Sequence, residues 1–346
     1  MRNRFVKTTM LGAFLVFILG AAPSHAQTPA TDKVAQFYKG KTITWVVSAE
    51  PGGPTDVIAR ILVPHVGKET GTKILVKNMT GGSMEGDNWT FNEGKRDGLT
   101  VLTEVTGALM LNDMLKSPGV QYTTEKFNFL AGVVPELCVA AVSPKASYKT
   151  FDAVRKAKGI KVGASSAKGY IAVSGAITSA ILGLDAKVIT GYQGMKSVLL
   201  AVAQGEMDMV IASEPDIVLA GKNGDVVPIF VVSGERSSLM PNIPTMKELG
   251  VTVPKELNDA YKTIASNTRA VALPPGVPAE RVAYLRGVFN KLSMSKEVQD
   301  DMSRYNGVRR PFVPGDKLQE ELNALKANKT LATQMEGIMK KYSAAK

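Results

Sequence analysis

Residues 42–66 read TITWVVSAEPGGPTDVIARILVPHV, and this stretch decides the fold. Its first part, Thr42 to Val47, is β-branched and aromatic, which predicts a strand. Apolar residues then recur at helical spacing from Val57 to Val66, with Thr55 and Asp56 placed to begin the helix. The glycines between strand and helix let backbone N–H groups approach an anion at the helix N-terminus. A simple turn that only joins the two elements is the alternative.

The first 26 residues have the pattern of a secretory signal peptide. Three basic residues among the first seven precede an apolar segment from Met10 to Leu19, which is too short to span a bilayer comfortably. Ser24 to Ala26 has the small-x-small pattern of a cleavage site. We therefore expect cleavage after Ala26 and export of the rest of the chain. Removal of this segment lowers the formal net charge from +11 to +8.

Charge and cysteine content narrow the classes of function. The lysines and arginines are scattered rather than clustered with aromatic residues, which argues against nucleic-acid binding. A basic surface does suit the attraction of anionic solutes. Cys138 is the only cysteine, so no internal disulfide can form and stability must come from apolar cores.

The remaining sequence alternates between strand and helix patterns, which predicts an α/β protein with mostly parallel sheets. The apolar run from Phe127 to Ser143 is interpreted as a strand pair that carries the chain into a second domain, where the alternation restarts. The segment from Thr263 to Leu273 is expected to cross back to the first domain. A last helix from Asp316 to about Tyr342 is expected to pack peripherally through one face.

The chain has none of the common catalytic or metal-binding motifs, such as His-Glu-x-x-His, Gly-x-Gly-x-x-Gly or Gly-x-Ser-x-Gly. His65 is the only histidine after residue 26, and no nucleophile motif accompanies it. We therefore interpret the chain as a binding protein, not an enzyme, and expect neither a cofactor nor a metal. An exported hydrolase or transferase that uses Glu50 and Asp56 for acid/base chemistry is the alternative.

A series of short segments recurs along the chain in a recognisable order. They are FYKGK at 37–41, PGGxxD at 51–56, NMxGG at 78–82, DG at 97–98, GEMD at 205–208, ERS at 235–237, PNIPT at 241–245 and PPGVPAE at 274–280. In this order the segments resemble the periplasmic substrate-binding receptors of tripartite tricarboxylate transporters, the TctC or Bug family. The resemblance covers nearly all of the chain after the expected cleavage site.

This resemblance implies a two-lobed periplasmic-binding-protein fold of type II, with a ligand cleft between two doubly wound α/β domains. Residues 27–139 together with 263–346 would form the first domain, and residues 140–262 the second. The implied function is that of a monomeric periplasmic receptor, which binds a small organic carboxylate and delivers it to membrane permease subunits. A receptor that serves a membrane sensor is an alternative with the same sequence.

The resemblance also implies that loops 50–56 and 165–170 face each other across the cleft and hold one ligand carboxylate. The residues implied to bind the ligand are Glu50, Gly52, Gly53, Thr55, Asp56, Thr106, Ser165, Ser166, Lys168, Gly169, Tyr170, Tyr192, Gln193, Ser213 and Glu214. Several have plain structural alternatives. The two serines of the second loop could cap a helix, the lysine could be solvated, and the tyrosines could be half-buried packing residues.

The first loop departs from the family pattern at two positions. Glu50 stands where the family usually has a small or apolar residue, and Pro54 replaces a common glycine. Asp56 is interpreted mainly as a brace of the loop that pairs with Arg60 one helical turn on. Glu50 would repel a plain carboxylate, so we expect a ligand with a cationic or hydrogen-bond-donor group as well. A dicarboxylate, an aromatic acid and an amino acid all remain open.

Overall fold

The computed structural model describes residues 29–80, 84–133, 137–167, 169–232, 234–266 and 269–344. The expected signal peptide at residues 1–26 and the candidate Lys168 lie outside the described residues. The described strands are β1 Thr42–Val47, β2 Lys73–Asn78, β3 Thr100–Glu104, β4 Asn128–Gly132, β5 Cys138–Val142, β6 Ile160–Gly163, β7 Ala186–Ile189, β8 Met209–Ser213, β9 Val227–Val231, β10 Ala270–Leu273 and β11 Val313–Pro314.

The described helices fill the spaces between these strands, as the alternating pattern predicts. They are α1 Pro29–Tyr38, α2 Pro54–Thr70, α3 Glu85–Glu93, α4 Thr106–Met114, α5 Phe151–Lys156, α6 Tyr170–Leu182, α7 Gly194–Gln204, α8 Glu214–Lys222, α9 Lys255–Ser266, α10 Ala279–Met294, α11 Lys296–Asn306, α12 Gly315–Ala327 and α13 Lys329–Tyr342. A short 3-10 helix covers Thr124–Lys126.

The strands form two separate sheets, which confirms the prediction of an α/β protein with two lobes. The first sheet has the order β11-β4-β10-β3-β1-β2, and the second has the order β7-β6-β8-β5-β9. The predicted strand Thr42–Val47 is confirmed as β1. Trp45 on this strand is fully buried and donates from its indole nitrogen to Thr103 Oγ1 at 2.7 Å.

The prediction of mostly parallel sheets is wrong for both lobes. In the first sheet β10 runs antiparallel to β3 and β4, and in the second sheet β5 runs antiparallel to β8 and β9. The reason lies in the path of the chain, because β5 and β10 each enter a sheet at the edge where its neighbours end. A strand that enters there, without a crossover helix, must run antiparallel to those neighbours.

The segments that cross between the sheets also differ from the expected ones. The strands predicted between Phe127 and Ser143 are β4 and β5, but they belong to different sheets and do not pair with each other. In the return segment, helix α9 continues to Ser266 and β10 begins only at Ala270. The division into residues 27–139 with 263–346 and residues 140–262 stays a prediction.

The apolar core has two parts, one on each face of the first sheet. One face packs against α1, α2, α10 and α11, through buried residues such as Leu62, Phe289 and Met302. The other face is continuous with the core of the second sheet and includes α4, α6, α9, α12 and α13. The two lobes therefore share an apolar core behind their polar edges.

The C-terminal segment is two helices rather than the single peripheral helix expected from Asp316 to Tyr342. Asn328 leaves the helical conformation between α12 and α13, and its side chain accepts a hydrogen bond from the Leu331 backbone at 3.0 Å. Helix α13 packs against α6 of the second lobe, where the Tyr342 hydroxyl donates to the Ser179 carbonyl at 3.1 Å. The chain therefore ends on the second sheet, where Ser343 bridges Val188.

The packing of α13 predicts a large stability loss from a single substitution. Leu331 is fully buried, so Leu331→Ala should lower the free energy of unfolding by about 2 to 5 kcal/mol, because it leaves a cavity in the core. Leu200, which is 57% exposed, is the matched control, and Leu200→Ala should change stability by less than about 1 kcal/mol. Urea unfolding of the three proteins measures both effects. Equal losses for the two variants would contradict this packing.

Candidate functional site

The polar edges of the two sheets face each other. In the first sheet β1, β3 and β4 end at this edge, and in the second sheet β6 and β8 do so. Val133 follows β4 and Leu137 precedes β5, so at most about 14 Å of chain joins the two edges. The space between the edges is therefore the place where loops of both lobes can meet one ligand.

Four helices that follow the inner strands β1, β3, β6 and β8 begin at these edges without a side-chain cap among the described residues. Helix α2 follows Gly53, α4 follows Val105, α6 follows Gly169 and α8 follows Ser213. The first N–H groups of a helix have no partner within the helix, and they carry its positive partial charge. Four such ends at the facing edges favour an anion between the lobes.

The first loop is held in place by Asp56. Its Oδ2 accepts from the Gly52 backbone and from Arg60 Nε, each at 2.8 Å, and its Oδ1 accepts from Asn78 Nδ2 at 3.0 Å. Burial would raise the pKa of this carboxyl, but the three hydrogen bonds outweigh it and hold the pKa below its ordinary value. Asp56 thus braces the loop, as the sequence interpretation expects, and Asn78 of the NMxGG segment completes the brace.

The other predicted residues of the first loop differ in their exposure to solvent. Glu50 and Gly52 are exposed, Gly53 is half-buried, and Thr55 is buried. The Glu50 carbonyl accepts from the Gly53 backbone at 3.2 Å, which closes the turn. Gly52 has a φ of 74°, a backbone conformation that a residue with a side chain adopts only at a cost.

The second loop lies beside the loop after β7. Ser165 is half-buried and its carbonyl accepts from the Gly191 backbone at 3.3 Å, whereas Ser166 is exposed. Gly169 precedes α6 and is half-buried. The two serine side chains are not caps of α6, because that helix has Gly169 as its N-cap residue and no side-chain cap.

The predicted tyrosines have different environments. Tyr170 is buried, and its hydroxyl accepts from the Ser213 backbone at 3.0 Å, so it joins the starts of α6 and α8. The Tyr192 hydroxyl instead donates to Glu206 at 2.7 Å within the second lobe. Burial and this carboxylate raise the pKa of Tyr192 to about 12. Gln193 beside it is exposed.

Glu214 is engaged by protein groups from both lobes. It is fully buried, and its Oε1 accepts from the Ser237 hydroxyl and from the Leu239 backbone. Its Oε2 accepts from Arg310 at 2.7 Å, and Arg310 lies just before β11 of the first sheet. The pair therefore joins the two facing edges, and Ser213 beside it donates to Asp216 at 2.7 Å.

Sequence reasoning missed a cluster of buried ionisable residues around Thr106. The Thr106 hydroxyl donates to Glu104 Oε1 at 2.9 Å, and both residues are fully buried. Asp87 on α3 lies beside Ser48, where Gly86 approaches so closely that an added Cβ would lie 2.9 Å from Ser48 atoms. Burial raises the pKa of Asp87 to about 7, against the opposing hydrogen bond from Ser48.

Burial also raises the pKa of Glu104 well above its ordinary value, and the negative charge of Asp87 adds to this, whereas Thr106 and Arg269 oppose it. Arg269 is 91% buried and directly precedes β10. The sequence signal for both residues is an ionisable side chain that borders a short apolar strand, VLT before Glu104 and AVAL after Arg269. In this fold both residues are buried at the strand ends.

The fold of this chain is similar to that of solved periplasmic solute-binding proteins. A TctC solute-binding protein from Polaromonas, solved without ligand, superimposes with a TM-score of 0.69 at 21% identity, covering 88% of this chain and 99% of that one. MatC from Rhodopseudomonas palustris with bound malate gives a TM-score of 0.66 at 18% identity, covering 86% and 99%.

The sequence comparison agrees with the structural one. Protein BugT from Bordetella pertussis is 23% identical over 295 residues, which is 84% of this chain and 85% of BugT. No protein-family model matches the chain. The sequence and structure matches together confirm the predicted resemblance to the TctC or Bug family.

Among the described helices, none combines the length and the apolar character needed to cross a membrane. The described residues also contain no cluster of three or more His, Cys, Asp or Glu side chains that could hold a metal ion.

The ion pair between the lobes predicts that removing Arg310 lowers stability strongly and that a second substitution at Glu214 restores part of the loss. Arg310→Met should lower the free energy of unfolding by about 3 to 5 kcal/mol, because it leaves the buried Glu214 carboxylate without its cation. The double variant Glu214→Gln/Arg310→Met should recover at least half of that loss. The measurement is urea unfolding of the wild type and of both variants. If the double variant is no more stable than the single one, the pair is not the source of the loss.

The raised pKa of Asp87 predicts a specific pH dependence of stability. An unfolded aspartate titrates near pH 4, so the stability that neutral Asp87 contributes is fully present below pH 4 and is lost as the pH rises through about 7. Asp87→Asn should therefore match the wild type at pH 4 and exceed it at pH 8, by up to about 4 kcal/mol.

Thermal or urea unfolding between pH 4 and 8 tests this dependence. The matched control is Asp185→Asn, because Asp185 is exposed. Its stability curve should run parallel to that of the wild type. A parallel curve for Asp87→Asn as well would show that the Asp87 carboxyl is not kept neutral by burial.

Proposed function

We propose that this chain is a periplasmic solute-binding protein that captures a small organic carboxylate between its lobes and passes it to membrane permease subunits. The observation that carries the proposal is the set of four helix N-termini without side-chain caps at the facing strand edges. These ends offer backbone donors and positive partial charge without a permanent cation. The protein similar in fold that holds malate supports a carboxylate as the ligand class.

The proposed contacts divide the predicted residues into two groups. One group contacts the ligand: Glu50, Gly52, Gly53 and Thr55 of the first loop, Thr106, Ser165, Ser166, Lys168, Gly169, Tyr170, Tyr192, Gln193 and Ser213. The other group holds the loops in position and consists of Asp56 and Glu214, whose carboxylate oxygens already accept hydrogen bonds from protein groups. Each lobe contributes contacts, so a bound carboxylate stabilises the approach of the two edges.

The enzymatic alternative has less support than binding. Acid/base chemistry with Glu50 and Asp56 would need both carboxyl groups directed at a substrate. Asp56 instead accepts hydrogen bonds from Gly52, Arg60 and Asn78. The proposed receptor therefore returns its ligand chemically unchanged. Export after cleavage at Ala26 and transfer of the ligand to a permease complete the proposal.

Ligand binding and its charge dependence test this function. Titration calorimetry against malate, succinate, glutarate, aspartate and benzoate should reveal at least one ligand with micromolar affinity, about −8 kcal/mol. Chromatography of the mixture should then return that ligand unaltered. If only sugars or other neutral compounds bind, or if a product forms, the proposal is wrong.

A matched pair of variants locates the site. Ser166→Asp places a negative charge in the second loop and should weaken carboxylate binding about tenfold or more by repulsion. Ser147→Asp makes the same change in the exposed loop after β5, at the opposite edge of the sheet, and should leave the affinity within about twofold. Equal effects of the two variants would contradict a site between the facing edges.

A further inference from the structure

Three buried polar atoms near the proposed site have no hydrogen-bond partner among the described residues. They are Asp87 Oδ1, Glu104 Oε2 and Arg269 Nε. Each carboxyl group is anchored through its other side, Asp87 by Ser48 and Glu104 by Thr106 at 2.9 Å. A buried polar atom without a partner costs about 1 to 3 kcal/mol, so these atoms are placed to meet a group that the protein itself does not supply.

The three side chains form one connected group at the edge of the first sheet. Coulombic interactions join Glu104 to both Asp87 and Arg269, and Arg269 also interacts with Asp216 of the second lobe. Glu104 ends β3, and Arg269 directly precedes β10, the strand that pairs with β3. The group therefore lies where the chain crosses between the lobes and where the N-terminus of α4 begins.

The three atoms suit ligand groups of opposite charge. Arg269 is a cation that suits a carboxylate oxygen, whereas two carboxyl groups side by side suit a hydrogen-bond donor with positive charge. A single ligand satisfies both kinds only if it carries an anionic group and a cationic donor close together. Burial favours the neutral form of both carboxyl groups in the empty cleft, and a bound ammonium group stabilises their ionised form, which a second carboxylate does not do.

We propose that Asp87, Glu104 and Arg269 form a polar subsite that makes the receptor selective for amino-carboxylic acids over the same acids without an amino group. Arg269 contacts the carboxylate that lies next to the amino group, and the ammonium group donates to Asp87 Oδ1 and Glu104 Oε2. This subsite rests on the proposed function, since it assumes that a carboxylate binds between the lobes. Glu50, exposed on the first loop, adds negative charge to the same edge and acts in the same direction.

Three matched ligand pairs test the selectivity on the wild-type protein. The pairs are L-aspartate with succinate, L-glutamate with glutarate, and L-phenylalanine with 3-phenylpropionate, and the members of each pair differ only in the amino group. In the pair that binds most tightly, calorimetry should give the amino acid an affinity at least tenfold higher. Malate, which carries a hydroxyl in place of the amino group of aspartate, should bind between aspartate and succinate.

Two substitutions assign the selectivity to this subsite. Glu104→Gln keeps the size of the side chain and should reduce the ratio within the tightest pair at least fivefold, with a smaller effect on the acid that lacks the amino group. Arg269→Gln should weaken both members of the pair. The control is Glu93→Gln, because Glu93 is exposed at the end of α3, and it should leave the ratio unchanged.

The possible failures are distinguishable. If carboxylates bind but the members of the tightest pair differ by less than threefold, the subsite is wrong while the proposed function stands. An unchanged ratio in Glu104→Gln overturns the assignment to this cluster in the same way. If no member of any pair and no other organic acid binds, the proposed function fails and the subsite fails with it.

Discussion

The short connection between β4 and β5 is the constraint on which the rest of the structure depends. It joins the end of a strand in one sheet to the start of a strand in the other, so the edges that carry the loops must face each other. Helices that follow the strands ending at these edges necessarily begin there. The convergence of helix N-termini therefore follows from the topology and needs no special sequence at each helix start. A side chain at the end of one of these strands then lies close to the space between the lobes.

Electrostatics at these edges separates residues that support the site from residues that can contact a ligand. Asp56 and Glu214 have their charges balanced by Arg60 and Arg310, which makes them parts of the framework. Asp87, Glu104 and Arg269 are buried as deeply but keep unpartnered atoms. A stable fold tolerates few such atoms, and these three lie at the edge where we propose that a ligand binds.

The local elements were largely predictable from the sequence, whereas the arrangement of the sheets was not. The strand at Thr42–Val47 and the helix after Gly53 follow from side-chain periodicity and turn residues, which act over a few positions. The antiparallel direction of β5 and β10 depends on where the chain enters each sheet, and local side-chain periodicity does not show the direction of a strand. The break at Asn328 was missed because residues on both sides of it continue a helical pattern.

The residues of the candidate site also divide into those that a local sequence pattern indicates and those that depend on distant parts of the chain. The loop residues around Gly53 and Ser165 could be proposed from the sequence because glycines and serines between a strand and a helix are visible there. Glu104 and Arg269 were missed, since an ionisable residue beside an apolar run usually marks a solvated strand end. Their burial depends on α3, α4 and the crossing segment, which come from distant parts of the chain. Glu214 was predicted as a ligand contact, but its partner Arg310 lies 96 residues further on.

The return of the C-terminal helix to the second lobe limits how the two lobes can move. The chain passes between the sheets after β4, before β10 and again at Asn328, so three separate covalent links join the lobes. Two bodies joined by two links can still twist, but a third link spaced away from the others leaves little more than rotation about one axis. Any relative motion of the two lobes is therefore confined to a hinge rotation, which would bring the same loops together each time.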